Sequence, residues 1–316
     1  MQRIAYFGPS GTFTEAALEQ MIDRGVVAGA VAGRGGRAAD LEVETVPADS
    51  PAATLAAVLA GEADWACVPI ESSIDGPVLP TLDPLATGPR LQIFGETELD
   101  IAFAIVARPG LAAADVRTVA AYPVAAAQVR TWLGENLPDA QVTPAGSNAD
   151  AAARVAAGEA DAAVATAIAG RRLSLDFIAD NVIDVEGART RFVLVGPPAP
   201  VPARTGSDRT GVVLWLANRP GSLGEALGQF SMRGIDLTRI ASRPTRSALG
   251  EYYFQLDCAG HIDDPSVAET LTELHRTCRE VRFLGSWPVA HAEGAAPPAR
   301  TEAEQWLAAM RKGDPL

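Results

Sequence analysis

The chain opens with an apolar run from Arg3 to Phe7, which reads as a buried strand. The turn Gly8-Pro9-Ser10-Gly11 follows. From about Thr14 to Asp23 the apolar residues Ala16, Ala17, Leu18 and Met21 recur at helical spacing, which gives a β-loop-α start. The glycine-rich stretch Gly25 to Asp40 keeps no lasting period and reads as a surface insertion. Leu41 to Val46 then alternate as a strand. Ser50 and Pro51 supply an N-cap and a first-turn proline for a helix that runs to Gly61.

This pattern returns further along. LAAVLAGEADWACVPI, from Leu55, and AARVAAGEADAAVATA, from Ala152, share GEAD at Gly61 and Gly158, an offset of 97 residues. Each copy is a helix, a glycine stop, a two-acid turn and a short apolar strand, so the pattern predicts two similar α/β lobes facing each other; the competing reading is coincidence in an alanine-rich chain. Ligands of open α/β sheets sit beyond the carboxyl ends of strands. Glu71-Ser72-Ser73 and Thr166 follow those ends and are predicted to point into a cleft between lobes.

After the strand Arg191 to Val195, PPAPVPARTGSD reads as a linker. Beyond it come a strand (Gly211 to Ala217), a helix (Gly221 to Arg233), two strands (Leu237 to Ser242 and Tyr252 to Cys258), a helix (Pro265 to Thr277) and a strand (Val281 to Trp287). That order is the β-α-β-β-α-β of a ferredoxin-like module. The expected division is therefore 1–196 for the two lobes, 197–209 for the linker, 210–287 for the module and 288–316 for a tail with a peripheral helix around Trp306 and Leu307.

Composition narrows the chemistry. At 316 residues there is material for about two domains. A net charge of -13 without a concentrated basic patch argues against nucleic acid and anionic membrane as partners. No apolar run approaches the roughly 20 residues of a membrane span, and the N-terminus lacks the core of a secretion signal, so a cytoplasmic protein is expected. Cys67, Cys258 and Cys278 form no C-x-x-C; they are expected to be buried thiols, with neither zinc nor disulfides. The histidines are His261, His275 and His291 and the one lysine is Lys312. A Ser-His-Asp triad within the first 260 residues, Schiff-base chemistry and a P-loop lysine are thereby excluded. Catalysis must use hydroxyls, carboxylates, arginines and helix ends.

Three segments offer such groups. GPSGTFTEAA places Ser10, Gly11 and Thr12 at a helix N-terminus, suited to a carboxylate or phosphate, although a plain capping turn has the same form. PIESSIDGPV gathers Glu71, Ser72, Ser73 and backbone amides on a loop, as a serine-rich turn would. In ARTRFVLVG, Thr190 and Arg191 enter an apolar strand; the guanidinium could clamp a carboxylate and the hydroxyl make a directional bond, or the pair could be an ordinary strand edge.

In this order, G-P-x-G-T-F-T, P-I-E-x-S-I-x-G-x-V and T-R-F, followed by a small module, the chain resembles the prephenate dehydratase family over roughly residues 3 to 287. The resemblance implies an α/β fold with a two-lobe, periplasmic-binding-protein-like catalytic region and a ferredoxin-like ACT domain that senses phenylalanine. It implies cofactor-free conversion of prephenate to phenylpyruvate, with Thr190 in place of the family's essential hydroxyl, Arg191 and the Ser10 to Thr12 turn on the substrate carboxylates, and Glu71 as a proton partner. Phe13 and Phe192 could exclude water from the ring, or either could simply be core. Ser72 stands where the family usually has asparagine, and Tyr122-Pro123-Val124 replaces His-Pro-Gln while Gln128 is kept.

In the ACT-like module, RPGSL and ASRP match the two loops that hold phenylalanine in the family, with Ala241 replacing the usual glutamate. This marks Asn218, Gly221, Ser222, Leu223, Ser242, Arg243 and Pro244 as effector contacts and a homo-oligomer, dimer or tetramer, joined through ACT domains. A module that only makes dimers is the alternative there. For the whole chain the alternatives are arogenate dehydratase and a non-catalytic two-lobe binding protein that senses an amino acid.

Overall fold

A computed structural model describes residues 1–36, 41–245, 250–291, 294–297 and 301–313, with 301–304 as backbone. Two compact units result, Met1–Arg90 with Gly95–Pro198, and Leu91–Phe94 with Ala199 onward.

In the first unit, lobe one contains β1 (Gln2–Phe7), α1 (Phe13–Asp23), α2 (Val26–Gly33), β2 (Val43–Ala48), α3 (Pro51–Leu59), β3 (Trp65–Ser72), β4 (Gly76–Pro77), α4 (Leu79–Thr87) and, from Gly95 on, β5 (Gln92–Asp100). Lobe two contains β6 (Phe103–Ala107), β7 (Thr118–Ala121), α5 (Pro123–Gln128), α6 (Arg130–Asn136), β8 (Gln141–Pro144), α7 (Asn148–Ala156), β9 (Ala162–Ala165), α8 (Ala167–Arg172) and β10 (Asp176–Val182). The chain returns to lobe one as β11 (Arg189–Gly196).

The sheets run β2-β1-β3-β11-β5 and β8-β7-β9-β6-β10. In each, the first three strands are parallel and the fourth is antiparallel to the third. The sequence repeat is thus a structural duplication. Gly61 and Gly158 both take left-handed φ, 73° and 77°, at equivalent helix ends. Ser50 and Ser147 both cap the following helix through their hydroxyls. Asp64 and Asp161 both accept a backbone N–H from the middle strand of the parallel trio, Arg3 of β1 in one lobe and Thr118 of β7 in the other.

The sequence expectation fails for Gly25 to Asp40. Val26–Gly33 is a helix that buries Val27, Ala30 and Val31, an i, i+3, i+4 stripe. Its packing needs close approach: a Cβ on Gly95 would lie 2.3 Å from the Val26 Cγ1. Arg37 to Asp40 lie outside the described residues.

In the second unit, β12 (Asp208–Trp215), α9 (Ser222–Ser231), β13 (Leu237–Pro244), β14 (Tyr252–Ala259), α10 (Pro265–Thr277) and β15 (Glu280–Pro288) form an antiparallel sheet, β13-β14-β12-β15. Val212, Leu214, Leu256, Phe230, Val267 and Leu274 fill its core. The tail carries α11 (Thr301–Lys312), with Trp306 half exposed. Cys67 and Cys258 are buried, but Cys278, expected to be buried too, is only partly covered. No described helix is long and apolar enough to cross a membrane.

Candidate active site

A cavity of about 480 Å³ opens between the two lobes of the first unit. Its apolar wall includes Phe13, Phe103 and Phe192; the first two rings meet edge to face with centroids 5.6 Å apart. Many of its lining residues come from helix starts. Thr12 and Thr14 belong to the N-terminus of α1, Pro51 to α3, Leu79 to α4, Val124 to α5 and Asn148 to α7. The first N–H groups of a helix have no internal acceptor, and the helix dipole adds partial positive charge there. Asp75 is the one charged residue among the described lining residues. The cavity is therefore suited to carboxylates held by backbone amides in place of fixed cations.

The strand period explains which residues reach it. β11 pairs antiparallel with β3, Thr190 opposite Ser72 and Arg191 opposite Glu71, before a register shift sets Phe192 opposite Pro69. Thr190, Phe192, Ser72 and Pro69 line the cavity. Arg191 does not. It is 5% exposed, and its guanidinium donates to the Glu71 carboxylate at 2.7 Å and to that of Glu96 at 3.2 Å. Glu71, tied to Arg191, is likewise outside the lining. Successive strand residues face opposite sides, so Thr190 and Arg191 cannot both present their side chains to one cavity.

The GPSGTF turn divides in the same way. Thr12 caps α1: its hydroxyl accepts from the Glu15 N–H and donates to the Phe7 carbonyl, and it lines the cavity. Ser10 and Gly11 are bound to the protein itself. The Gly11 N–H and the Ser10 hydroxyl donate to the Glu15 carboxylate, at 2.7 and 3.0 Å. From lobe two, Arg172 donates to Glu15 at 2.6 Å and to the Ser10 hydroxyl, while Thr166 donates to the Gly11 carbonyl at 2.5 Å. Thr166, expected in the cleft, is thus a buried brace between lobes. Burial pushes the Glu15 carboxyl up, but the Gly11 N–H, the Ser10 hydroxyl and Arg172 outweigh it and leave it below the usual carboxylate range. Burial and the adjoining Glu15 charge push the Tyr6 hydroxyl up to about 12.

Ser72 lines the cavity while its hydroxyl accepts from the Ile74 and Asp75 N–H groups. Ser73 turns away and accepts from the Arg189 N–H at 2.9 Å. Thr14, Ser147 and Asn148 are lining residues that motif reading missed. The repeat held the signal, since Ser147-Asn148 stands 97 residues after Ser50-Pro51.

In the second unit a small cavity of about 110 Å³ is lined by Trp215, Asn218, Ser222, Tyr252 and their neighbours. Gly221 opens α9 with φ 85°, and Leu223 follows in its first turn. Ser242, Arg243 and Pro244 lie on the edge strand β13 and do not line that cavity.

A family model described as prephenate dehydratase matches residues 4–200, and one described as the ACT domain matches 210–276. The chain is similar to a prephenate dehydratase of Mycobacterium tuberculosis, 59% identical over 315 residues that cover 100% of this chain and 96% of the relative. It is also similar to the crystal structure of prephenate dehydratase from Arthrobacter aurescens in complex with L-Phe, with TM-score 0.84, 38% identity, and coverage of 98% and 99% of the two chains. A further similar structure is GqqA, described as a quorum-quenching acylase, with TM-score 0.76, 29% identity, and coverage of 91% and 98%.

Proposed function

The chain belongs to the prephenate dehydratase family, and from that premise we propose that it converts prephenate to phenylpyruvate, carbon dioxide and water, with Thr190 assisting departure of the ring hydroxyl and L-phenylalanine regulating the enzyme through its ACT module. The bond from the ring carbon to its carboxylate breaks, releasing carbon dioxide. Its electron pair enters the ring as the C–O bond on the opposite carbon breaks, and the hydroxyl takes one proton and leaves as water. Aromatisation drives the step.

The protein aligns the two departing groups and supports the leaving oxygen. What supports this reading is that Thr190 is a lining residue of the same cavity as Phe13, Phe192 and the first residues of α1 and α7. The amides of those helix starts hold the two carboxylates, a role that the sequence expectation gave to Arg191 and the Ser10 to Thr12 turn. A threonine hydroxyl is a weak acid, so Thr190 orients the leaving group and passes it a proton drawn from water. Arg191 and Glu71 act behind the cavity, fixing β11 against β3.

Effector binding fits Asn218, Ser222 and the glycine-started α9. Ser242, Arg243 and Pro244 would join that site from a paired module, and the exposed edge strand β13, with Ile240 52% exposed, suits such pairing in a dimer or tetramer. As a step of L-phenylalanine biosynthesis the reaction belongs in the cytoplasm. Purified protein incubated with prephenate should form phenylpyruvate, detected by its absorbance in base, and calorimetry should register L-phenylalanine binding. Prephenate recovered intact would refute the catalytic reading. An absence of heat with L-phenylalanine would refute the regulatory one.

A further inference from the structure

The chain passes between its two units at Arg90–Leu91, at Phe94–Gly95 and at Pro198–Ala199. Two neighbouring strands of the lobe-one sheet lie at these passages. β5 starts in the second unit with Gln92 to Phe94 and continues into the first, and β11 ends at Gly196, just before the chain re-enters the second. The strands run in opposite directions: Gln92 Nε2 donates to the Ala199 carbonyl at 3.0 Å at one end, and the Ile101 N–H donates to the Ala188 carbonyl at 2.7 Å at the other. The start of β5 is closely seated in the second unit. Ile93 and Phe94 are buried, and Gly285 of β15, opposite Gly211 of β12, lies so near that a Cβ on it would be 2.3 Å from the Ile93 carbonyl oxygen. The segment that reads as a linker is held there too, with the Pro202 carbonyl 3.0 Å from the His261 Nε2 and Arg204 paired with Asp264 at 2.7 Å.

Shortly after Ile93 the same strand carries Glu96, whose side chain is fully buried and accepts from the Arg191 guanidinium at 3.2 Å. Arg191 adjoins Thr190 on β11. Glu71, the other carboxylate on that guanidinium, belongs to β3, which lies wholly in the first unit. The two carboxylates therefore hold Arg191 to different things. Glu71 ties it to lobe one, whereas Glu96 ties it to a strand whose start moves with the ACT module. A strand held in a hydrogen-bonded sheet moves as a rigid element, so a shift of its seat arrives at Glu96 as a displacement. Small displacements suffice, because misplacing a catalytic group by about 1 Å can cost about 10²-fold in rate. We propose that Glu96 is a positioning residue for Thr190, acting through Arg191, and that β5 thereby carries the state of the ACT module to the cavity. L-phenylalanine acts by binding better to the module arrangement that goes with one position of β5. The inference rests on the regulatory part of the proposed function.

The test measures prephenate turnover by the full chain, with and without saturating L-phenylalanine, in wild-type protein, Glu96→Gln and Glu71→Gln. Each replacement keeps the side-chain shape and removes one of the two charges that face Arg191, so a merely structural clamp would respond alike to both. Melting curves check the fold and calorimetry checks L-phenylalanine binding. Both variants are expected to lower kcat with KM near the wild-type value. In wild-type protein L-phenylalanine is expected to change kcat/KM about fivefold or more, the lower end of an allosteric coupling. In Glu71→Gln that change should persist, and in Glu96→Gln it should shrink to about twofold or less although L-phenylalanine still binds. Should Glu96→Gln fail to fold, Gln92→Ala, which removes the bond to Ala199 at the seat of β5, replaces it with the same expectation. Any other division of the response between the variants overturns the proposal, as does a wild-type change under about fivefold with binding registered. No heat with L-phenylalanine in wild-type protein is a different result, which overturns the regulatory reading itself.

Discussion

Gly11 packs against lobe two within the turn that leads into α1. Its φ is +93°, and a Cβ built on it would lie 3.1 Å from the Ala169 Cβ and 3.3 Å from the Ala169 Cα. Gly11→Ala therefore combines two costs. A left-handed backbone costs an L-residue about 1–2 kcal/mol. Forcing a methyl into filled space between two elements costs about 1–3 kcal/mol more. Gly61 is the control: its φ is +73°, but nothing lies within 4 Å of an added Cβ, so Gly61→Ala should show the backbone cost alone. For a unit of this size each kcal/mol shifts the melting temperature by about 2–4 °C, which predicts losses of about 4–20 °C for Gly11→Ala and about 2–8 °C for Gly61→Ala. Calorimetry of the full chain, following the transition of the two-lobe unit, gives both numbers. Adding Ala169→Gly to Gly11→Ala removes the atom at 3.1 Å and should recover about 1 kcal/mol of the steric part in a double-mutant cycle. Activity should fall with Gly11→Ala and not with Gly61→Ala, because only the first separates Thr12 and α1 from their brace at Thr166. Equal losses at the two glycines, or no coupling to Ala169, would refute the lobe contact as the source of the cost.

Thr190→Ala should lower kcat by about 10²- to 10⁴-fold with an unchanged melting curve, and Thr190→Ser should retain much more activity, since a positioned proton-transfer group is worth that range. Arg191→Lys should cost about 1.5–3 kcal/mol of stability, because an ammonium cannot donate to Glu71 and Glu96 as the planar fork does, while KM for prephenate stays near the wild-type value. The Glu15 carboxyl lies below its unfolded value, near 4.3, so it adds stability above that pH and the contribution is lost as pH falls through the folded-state value. Melting temperatures of wild-type protein should accordingly drop more steeply below about pH 4.3 than those of Glu15→Gln.

The elements that depend on local pattern are legible in the amino-acid sequence. Pro265 to Thr277 is a helix with the bounds that its period and first-turn proline indicate, and the order of the ferredoxin-like module follows from its strand and helix periods. The two lobes are legible through GEAD, because a repeated helix stop and turn have the same backbone needs wherever they occur. Side-chain direction is where the reading fails. The T-R-F segment, taken as a group of chemical types, puts an arginine on a carboxylate substrate; at a period of two, it separates Thr190 and Phe192 from Arg191. Gly25 to Gly33 loses its helical signal to its glycines, although Val27, Ala30 and Val31 keep the stripe. The bonds from Arg172 and Thr166 to the GPSGTF turn join residues more than 150 positions apart and have no local signature.

A chain with one lysine that takes a substrate with two carboxylates needs positive potential from another source. Its nearby arginines are engaged within the protein, Arg172 on Glu15 and Glu19 and Arg191 on Glu71 and Glu96. Helix N-termini meet the need differently from side chains. Their amides are already oriented by the sheet and carry no rotamer entropy to lose when substrate arrives, so their stabilisation is preorganised. The duplication supplies them in pairs, because α3 in one lobe and α7 in the other start at the carboxyl end of their strands behind a capping serine, Ser50 or Ser147. The pair is not equivalent. Pro51 at the first position of α3 has no N–H to donate, whereas Asn148 at the same position of α7 has both an N–H and a side-chain amide. With α1 offering the other helix start in the lining, the proposed function sets the dicarboxylate between α1 and α7, on the side of the Asn148 N–H and away from Pro51.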